Sequence, residues 1–140
     1  MTEFKNYDVW VFVEQRDGKP ADVSFELLCK GRKLADALES RLVAIVMGHD
    51  VAGIASRCFA FGADEAMLIS DPALEHYRTA PYERHLAKLV RERHPRIVLF
   101  GATVIGRDLA PRVASGLRAG LTADCVSVVV ALIVCRIVFG

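Results

Sequence analysis

The sequence predicts an α/β domain: a doubly wound, mostly parallel sheet with helices on both faces, in a three-layer, Rossmann-like sandwich. Short apolar segments alternate with amphipathic helical patterns along the chain. The strand-like segments are apolar throughout, which is typical of parallel strands covered on both faces. The length of 140 residues suits one domain spanning residues 1–140. Right-handed crossovers between such strands make a doubly wound topology the default.

The first strand and helix follow from composition and periodicity. Asp8–Val13 is a β-branched and aromatic run that ends before the turn-forming segment Asp17–Pro20. Ser24 is predicted to cap a helix that continues to Leu38, because apolar residues recur there at helical spacing. The predicted buried stripe consists of Leu27, Leu28, Gly31, Leu34, Ala35 and Leu38.

The second unit repeats the strand-to-helix order. Leu42–Met47 is predicted as a strand, and Asp50 is predicted to cap a helix over Val51–Phe61. Gly62 is expected to end that helix in the left-handed conformation that glycine adopts most easily.

The third unit has a short strand and a long helix. Ala66–Ile69 predicts the strand, and Ser70–Pro72 a turn. Thr79–Arg93 predicts a helix with Pro81 in its first turn, where a missing N–H is harmless. His94–Pro95 should end it, because the residue before proline avoids helical geometry.

The last predicted elements are a strand over Ile97–Phe100, a helix over Asp108–Leu117 and a strand from Val126 onward. Val126–Cys135, the most apolar stretch, has ten residues and is followed by Arg136. A bilayer span needs about 18–20 apolar residues, so this stretch indicates a buried strand and not membrane insertion.

Charge and cysteine content exclude several functions. Eighteen basic and 17 acidic residues leave a net charge of +1, which argues against a domain that binds nucleic acid by neutralising phosphates. Four cysteines without metal-ligand spacing predict reduced, buried thiols in a cytosolic-type compartment. They are Cys29, Cys58, Cys125 and Cys135.

Ligands of an open parallel sheet bind at the carboxyl ends of the strands, and the segment Gly101–Arg112 follows such a strand and enters a helix. Its two glycines, hydroxyl and guanidinium are compatible with an anion site at a helix start. The alternative interpretation is a tight turn followed by a helix that Asp108 caps. The candidate cofactor-binding residues are Gly101, Thr103, Gly106 and Arg107.

No catalytic or metal-ligating set is predicted. Glu14 ends the first strand at the ligand-facing edge, but the sequence shows no partner for its carboxylate. Trp10 is predicted to lie in the core. The histidines lie outside metal-ligand spacing and are expected in solvent: His49, His76, His85 and His94.

Several of these segments resemble the N-terminal domain of the electron transfer flavoprotein alpha subunit. The similarity covers about residues 6–127. It is most specific in Gly101–Arg112, which is followed by Gly120–Cys125. Upstream, the matching segments are Val9–Glu14, Glu26–Leu38 and Gly62–Asp64.

The resemblance implies one part of an alpha–beta heterodimer that carries electrons from flavin dehydrogenases to an acceptor, in the cytoplasm or, in a eukaryote, the mitochondrial matrix. It implies that FAD is held mainly by a second, C-terminal domain outside these 140 residues. This domain would then serve as scaffold and subunit interface, without catalytic residues. The same fold occurs in adenine-nucleotide-binding domains of universal stress proteins, so a stand-alone domain of that type is the alternative. It would hold phosphate at Gly101–Arg107 and adenine near Glu14 and Met47.

The tail departs from the family pattern, because Val126–Val138 is almost continuously apolar where relatives have a polar, acidic hairpin. Three arrangements of this strand remain open: pairing with a second copy, with the beta subunit, or with the chain's own sheet.

Overall fold

A mixed sheet forms the centre of the structure. The computed structural model describes residues 8–117, 120–125 and 131–136, with side chains described over residues 8–117. In chain order the strands are β1 (Val9–Val13), β2 (Gln15–Arg16), β3 (Lys19–Pro20), β4 (Leu42–Gly48), β5 (Glu65–Ser70), β6 (Ile97–Gly101), β7 (Gly120–Cys125) and β8 (Ala131–Arg136). The main sheet has the order β5-β4-β1-β6-β8-β7. Its first four strands are parallel, and β8 runs antiparallel to both β6 and β7.

Helices cover both faces of this sheet. They are α1 (Asp22–Ala37), α2 (Ala52–Cys58), α3 (Thr79–Arg93) and α4 (Val104–Leu117). Two short 3-10 turns span Phe59–Phe61 and Pro72–Leu74. The predicted three-layer α/β sandwich is confirmed. Within the described ranges, no helix has the length and apolar character needed to cross a membrane.

Two hydrophobic cores follow from the alternation of side chains along β1. Val9, Val11 and Val13 pack with α1 and α2 on one face, whereas Trp10 and Phe12 pack with α3 and α4 on the other. All five are buried, which confirms Trp10 as a core residue. A strand buried on both faces must be apolar at every position, and β1 is.

A small hairpin continues β1. Strands β2 and β3 pair antiparallel through the two-residue turn Asp17-Gly18. Both turn residues have positive φ, 53° and 80°, which is the requirement of the type I′ turn that favours this dipeptide. The predicted turn is confirmed, and the hairpin carries the chain from the end of β1 to the start of α1.

The third unit agrees with the sequence. Helix α3 has the predicted bounds Thr79–Arg93, and His94 ends it with a left-handed φ of 53°. Gly62 closes the segment after α2 with a φ of 106°, as predicted.

Two predicted helix caps are wrong. Helix α1 begins at Asp22, and Ser24 instead turns into the core, where its Oγ accepts a hydrogen bond from the Glu14 N–H at 2.8 Å. Helix α2 has Val51 at its N-cap position and no side-chain cap. Asp50 precedes it with a left-handed φ of 62°. In both cases the helix does not begin after the polar residue predicted to cap it, because the tertiary structure determines where the chain enters the helix.

The predicted start of α4 at Asp108 is also wrong, because the helix begins four residues earlier at Val104. Thr103 occupies the N-cap position. Its side chain accepts from the Gly106 N–H at 3.0 Å, and its carbonyl accepts from the Arg107 N–H at 2.8 Å.

The described part of the apolar tail, Ala131–Arg136, pairs within the chain's own sheet. Strand β8 lies between β6 and β7, with Val98 in register with Cys135 and Leu121 also opposite Cys135. Of the three open arrangements, the structure therefore shows the third. Of the strand predicted over Val126–Cys135, the structure describes Ala131–Cys135 as part of β8, and residues 126–130 lie outside the described ranges.

The prediction of buried thiols is half right. Cys58 is buried and Cys29 is exposed on α1, and both are free thiols. Cys29 lies outside the apolar stripe of α1, so its side chain faces solvent although its neighbours Leu27 and Leu28 are buried. The side chains of Cys125 and Cys135 lie outside the described range.

Candidate functional site

The candidate site lies where β1 and β6 end side by side. These two strands are neighbours in the sheet, although the chain visits β4 and β5 between them. The chain order therefore reverses between β1 and β6, and such a switch point is where open α/β sheets bind ligands. The segments Glu14–Gly18 and Gly101–Asp108 meet there. The corresponding segments at the ends of β4 and β5, Met47–Asp50 and Ser70–Pro72, lie on the side of β1 away from β6.

A hydrogen-bond relay joins the two strand ends. The Thr103 hydroxyl donates to Glu14 Oε2 at 2.6 Å and accepts from the Gly106 N–H at 3.0 Å. Thr103 thus uses its hydroxyl in both directions, as a helix cap and as a donor to a carboxylate. The expectation that Glu14 has no partner is wrong, because the partner comes from a segment distant in sequence.

Glu14 is a buried carboxyl group. Only 6% of the residue is exposed, and its main chain is held by Ser24. Burial raises the pKa of Glu14, and the hydrogen bond from Thr103 opposes that shift in part. The negative charge near the start of α4 is favourable for the helix dipole, which helps the fold to tolerate the group.

The two candidate glycines permit a close approach of α4 to the end of β6. A Cβ atom on Gly106 would lie 1.8 Å from the Gly101 carbonyl oxygen, and one on Gly101 would lie 3.0 Å from Glu14 Oε2. The exposed Arg107 donates from Nε to the Ala102 carbonyl at 3.3 Å. The structure therefore brings all four candidates together, and phosphate binding by them stays a prediction.

Gln15 is a site residue that sequence reasoning missed. Its Nε2 donates to the Met47 carbonyl at 3.2 Å and lies 3.4 Å from the Tyr82 hydroxyl, while its Oε1 accepts from the Gly18 N–H at 2.9 Å. The residue is 9% exposed. The available signal was the pair of polar residues Glu14 and Gln15 directly after a fully apolar strand, because polar side chains that are buried next to such a strand need hydrogen-bond partners.

A cleft of about 370 Å³ opens beside these residues. Its position over the hairpin makes β2 and β3 one wall, and the start of α4 supplies the other through Ile105. The lining residues are Glu14, Gln15, Arg16, Asp17, Lys19, Ala21 and Ile105. Two acidic and two basic side chains leave this lining without a net formal charge.

Asp108 links two helices. Instead of capping α4, its Oδ2 accepts from the Tyr77 hydroxyl at 2.7 Å and from the Thr79 hydroxyl. The hydrogen bonds from Thr79 and then Tyr77 lower the pKa of Asp108. Arg112 Nε lies 3.8 Å from the other carboxylate oxygen. This cluster fixes the start of α3 against the first turns of α4.

The histidines do not converge. His49 is exposed, and His76 is exposed with Nδ1 3.5 Å from Asp17. His85 differs from the expectation of a solvated side chain, because it is half-buried with Nε2 3.5 Å from Asp71. Over residues 8–117, no group of three or more metal-ligating side chains comes together.

The architecture and its strand-end crevice define a doubly wound, Rossmann-like α/β domain in which the polar side chains of Glu14 and Gln15 fill the crevice. A family model described as the electron transfer flavoprotein domain matches residues 9–140. The chain belongs to the electron transfer flavoprotein family, and the resemblance predicted from the sequence is confirmed.

Curated relatives agree. The chain is 49% identical over 118 residues to the acryloyl-CoA reductase electron transfer subunit beta of Anaerotignum propionicum, covering 84% of this chain and 32% of the relative. It is 44% identical over 125 residues to the electron transfer flavoprotein subunit alpha of Thermoanaerobacterium thermosaccharolyticum, covering 89% and 37%. Protein FixB of Clostridium saccharobutylicum is 48% identical over 120 residues, covering 86% and 36%. The chain thus spans about a third of the length of these relatives.

Proposed function

We propose that this chain is the scaffold and subunit-interface domain of an electron transfer flavoprotein, which shuttles electrons between flavin dehydrogenases and an acceptor. The observation that carries the proposal is the family match over residues 9–140, together with relatives named as electron transfer subunits. The alternative, a stand-alone adenine-nucleotide-binding domain, gains no support from the same relatives.

In this proposal FAD belongs to the whole electron carrier and is held mainly by polypeptide outside these 140 residues. The crevice supports this placement, because Glu14 and Gln15 are buried at the strand ends and leave a cleft of about 370 Å³ beside them. Flavin supplies the redox chemistry of such carriers, and protein supplies position and electrostatics. We assign no acid–base or nucleophilic step to this chain.

The proposed partner is the beta subunit of the same carrier, in a heterodimer. The proposed compartment is reducing, the cytoplasm or a mitochondrial matrix, because both described cysteines are free thiols. One of them, Cys58, is also unreactive at neutral pH, because burial raises the pKa of its thiol to about 11 and keeps it protonated.

The test is optical and hydrodynamic. The 140-residue chain, purified alone and incubated with excess FAD, should show no flavin absorbance after gel filtration. Co-expressed with a beta subunit, it should elute as a complex. A chain that retains stoichiometric FAD contradicts the placement of the flavin, and a chain that elutes separately from the beta subunit contradicts the interface role.

A further inference from the structure

We propose that Glu14 and Gln15 are specificity-determining residues that exclude nucleotides from the crevice at the carboxyl ends of β1, β4 and β6. The inference goes beyond the proposed function, because a scaffold role does not require the crevice to reject any particular ligand. It concerns only side chains of this chain, so it can fail while the proposed function stands.

Glu14 takes the place that a phosphate would use. A phosphate at a switch point is bound by main-chain N–H groups at the start of the following helix. Here the Gly106 N–H is already bonded to the Thr103 hydroxyl, and the same hydroxyl donates to Glu14 Oε2 at 2.6 Å. A phosphate next to this carboxylate would meet a like charge that burial leaves poorly screened.

Gln15 takes the polar contacts that a base would use between β1 and β4. Its Nε2 donates to the Met47 carbonyl, the main-chain acceptor at the end of β4. The Tyr82 hydroxyl, which lies 3.4 Å from that nitrogen, is itself committed to the Leu74 carbonyl at 2.6 Å. A base entering here would displace a buried amide from its partners, which is unfavourable unless the base replaces each bond.

The outer cleft does not compensate for this exclusion. Arg16 and Lys19 line it, but so do Glu14 and Asp17, and the four formal charges cancel. Phosphate recognition normally requires an excess of positive charge or several free N–H donors. Glu14 thus occupies the place of the phosphate, and Gln15 occupies the place of the base, of the same nucleotide.

The test is calorimetric titration of the 140-residue chain with AMP and, separately, with inorganic phosphate. We compare the wild-type chain with Glu14→Ser, with Gln15→Ala and with the double variant. Asp17→Asn is the matched control, since it removes one negative charge from the same cleft at an exposed position. Trp10 fluorescence confirms that each variant retains its core.

The wild-type chain should bind neither probe saturably, and Asp17→Asn should bind phosphate only weakly, because Glu14 still occupies the phosphate position. Glu14→Ser should bind phosphate at least about tenfold more tightly than the control, because removal of a desolvated like charge is worth at least this factor. The double variant should also prefer AMP to phosphate.

Saturable, micromolar binding of AMP by the wild-type chain would overturn the inference. It is equally wrong if a folded Glu14→Ser variant binds phosphate no better than Asp17→Asn does. Should the double variant fail to fold, the phosphate titration of the single variant decides the outcome.

Discussion

The Thr103 hydroxyl donates a 2.6 Å hydrogen bond to Glu14 Oε2 across 89 positions of sequence. This contact ties the end of β1 to the start of α4, two elements that the fold places next to each other. It also makes the cap of α4 and the buried charge of β1 energetically dependent on one another, because a single hydroxyl serves both.

Replacing Glu14 by Gln should raise the free energy of unfolding at neutral pH by about 1 kcal/mol, a common size for one substitution. Burial raises the pKa of Glu14, so the folded state disfavours its charged form. The protonated form of Glu14 therefore stabilises the folded state. This contribution is complete below the ordinary pKa of 4.5 and is lost as pH rises through the folded pKa. Urea unfolding across this pH window, followed by Trp10 fluorescence, measures the difference.

Asp17→Asn is the control for this prediction, because Asp17 is an exposed carboxylate in the same cleft. It should shift the urea midpoint at neutral pH by less than Glu14→Gln does. A Glu14→Gln variant less stable than wild type at neutral pH would show that the charged form of Glu14 stabilises the fold.

Thr103→Val should destabilise the domain by about 2–4 kcal/mol, the sum of a lost helix cap and a buried carboxylate left without its donor. In the Glu14→Gln background the same substitution should cost less, since no charge is left unpaired. A double-mutant cycle measures this coupling. Thr103→Ser keeps the hydroxyl and should stay close to wild type; equal costs for Val in both backgrounds would argue that the contact carries no energy.

Gly106→Ala should destabilise the domain by about 3 kcal/mol or more, because the added Cβ would lie 1.8 Å from the Gly101 carbonyl and the backbone must move. Gly53 in α2 is the matched control, since nothing lies within 4 Å of a Cβ placed there. Gly53→Ala should stabilise by about 0.5–1 kcal/mol through helix propensity. Similar midpoints for the two variants in urea would contradict this close approach.

Asp64→Ala should cost more stability than Asp64→Asn. Burial alone would raise the pKa of Asp64, but the Leu42 N–H and the Arg32 guanidinium outweigh it and the pKa is lowered. Asp64 Oδ2 accepts from Leu42 N at 2.9 Å and from Arg32 at 2.8 Å. Asn keeps the main-chain acceptor and loses only a half-exposed ion pair worth about 0.2–1 kcal/mol, whereas Ala loses both.

The lowered pKa of Asp64 also predicts that the domain loses stability in acid. The stabilisation by Asp64 is present above the ordinary pKa of 3.8 and is lost as pH falls through the lowered folded pKa. Asp36, which also pairs with Arg32 but is 66% exposed, supplies the control. If Asp36→Asn shifts the acid unfolding midpoint as far as Asp64→Asn does, the main-chain contact of Asp64 is not what distinguishes it.

Local patterns were sufficient for the four parallel strands of the sheet and for α3, but they did not predict β7. β1 and β4 are apolar at every position, and that composition has few solutions other than a strand buried on both faces. The bounds of α3 followed from Pro81 and from His94–Pro95, whose backbone restrictions act within a few residues.

Helix starts were less predictable. Ser24, Asp50 and Asp108 are good cap residues by type, yet none of them caps the helix predicted for it. Ser24 bonds to the Glu14 N–H, and Asp108 accepts from Thr79 and Tyr77. A short polar side chain serves a cap or a distant partner equally well, and only the position of that partner decides between them.

The family and the fold class were thus determined by the sequence itself, because they rest on hydrophobic pattern and on local motifs such as Gly101–Arg112. The place of β8 inside the sheet, the partner of Glu14 and the role of Gln15 were decided only by the tertiary structure. Each depends on which strand ends meet in space, and hydrogen bonds between groups 32 and 89 positions apart leave no trace in local periodicity.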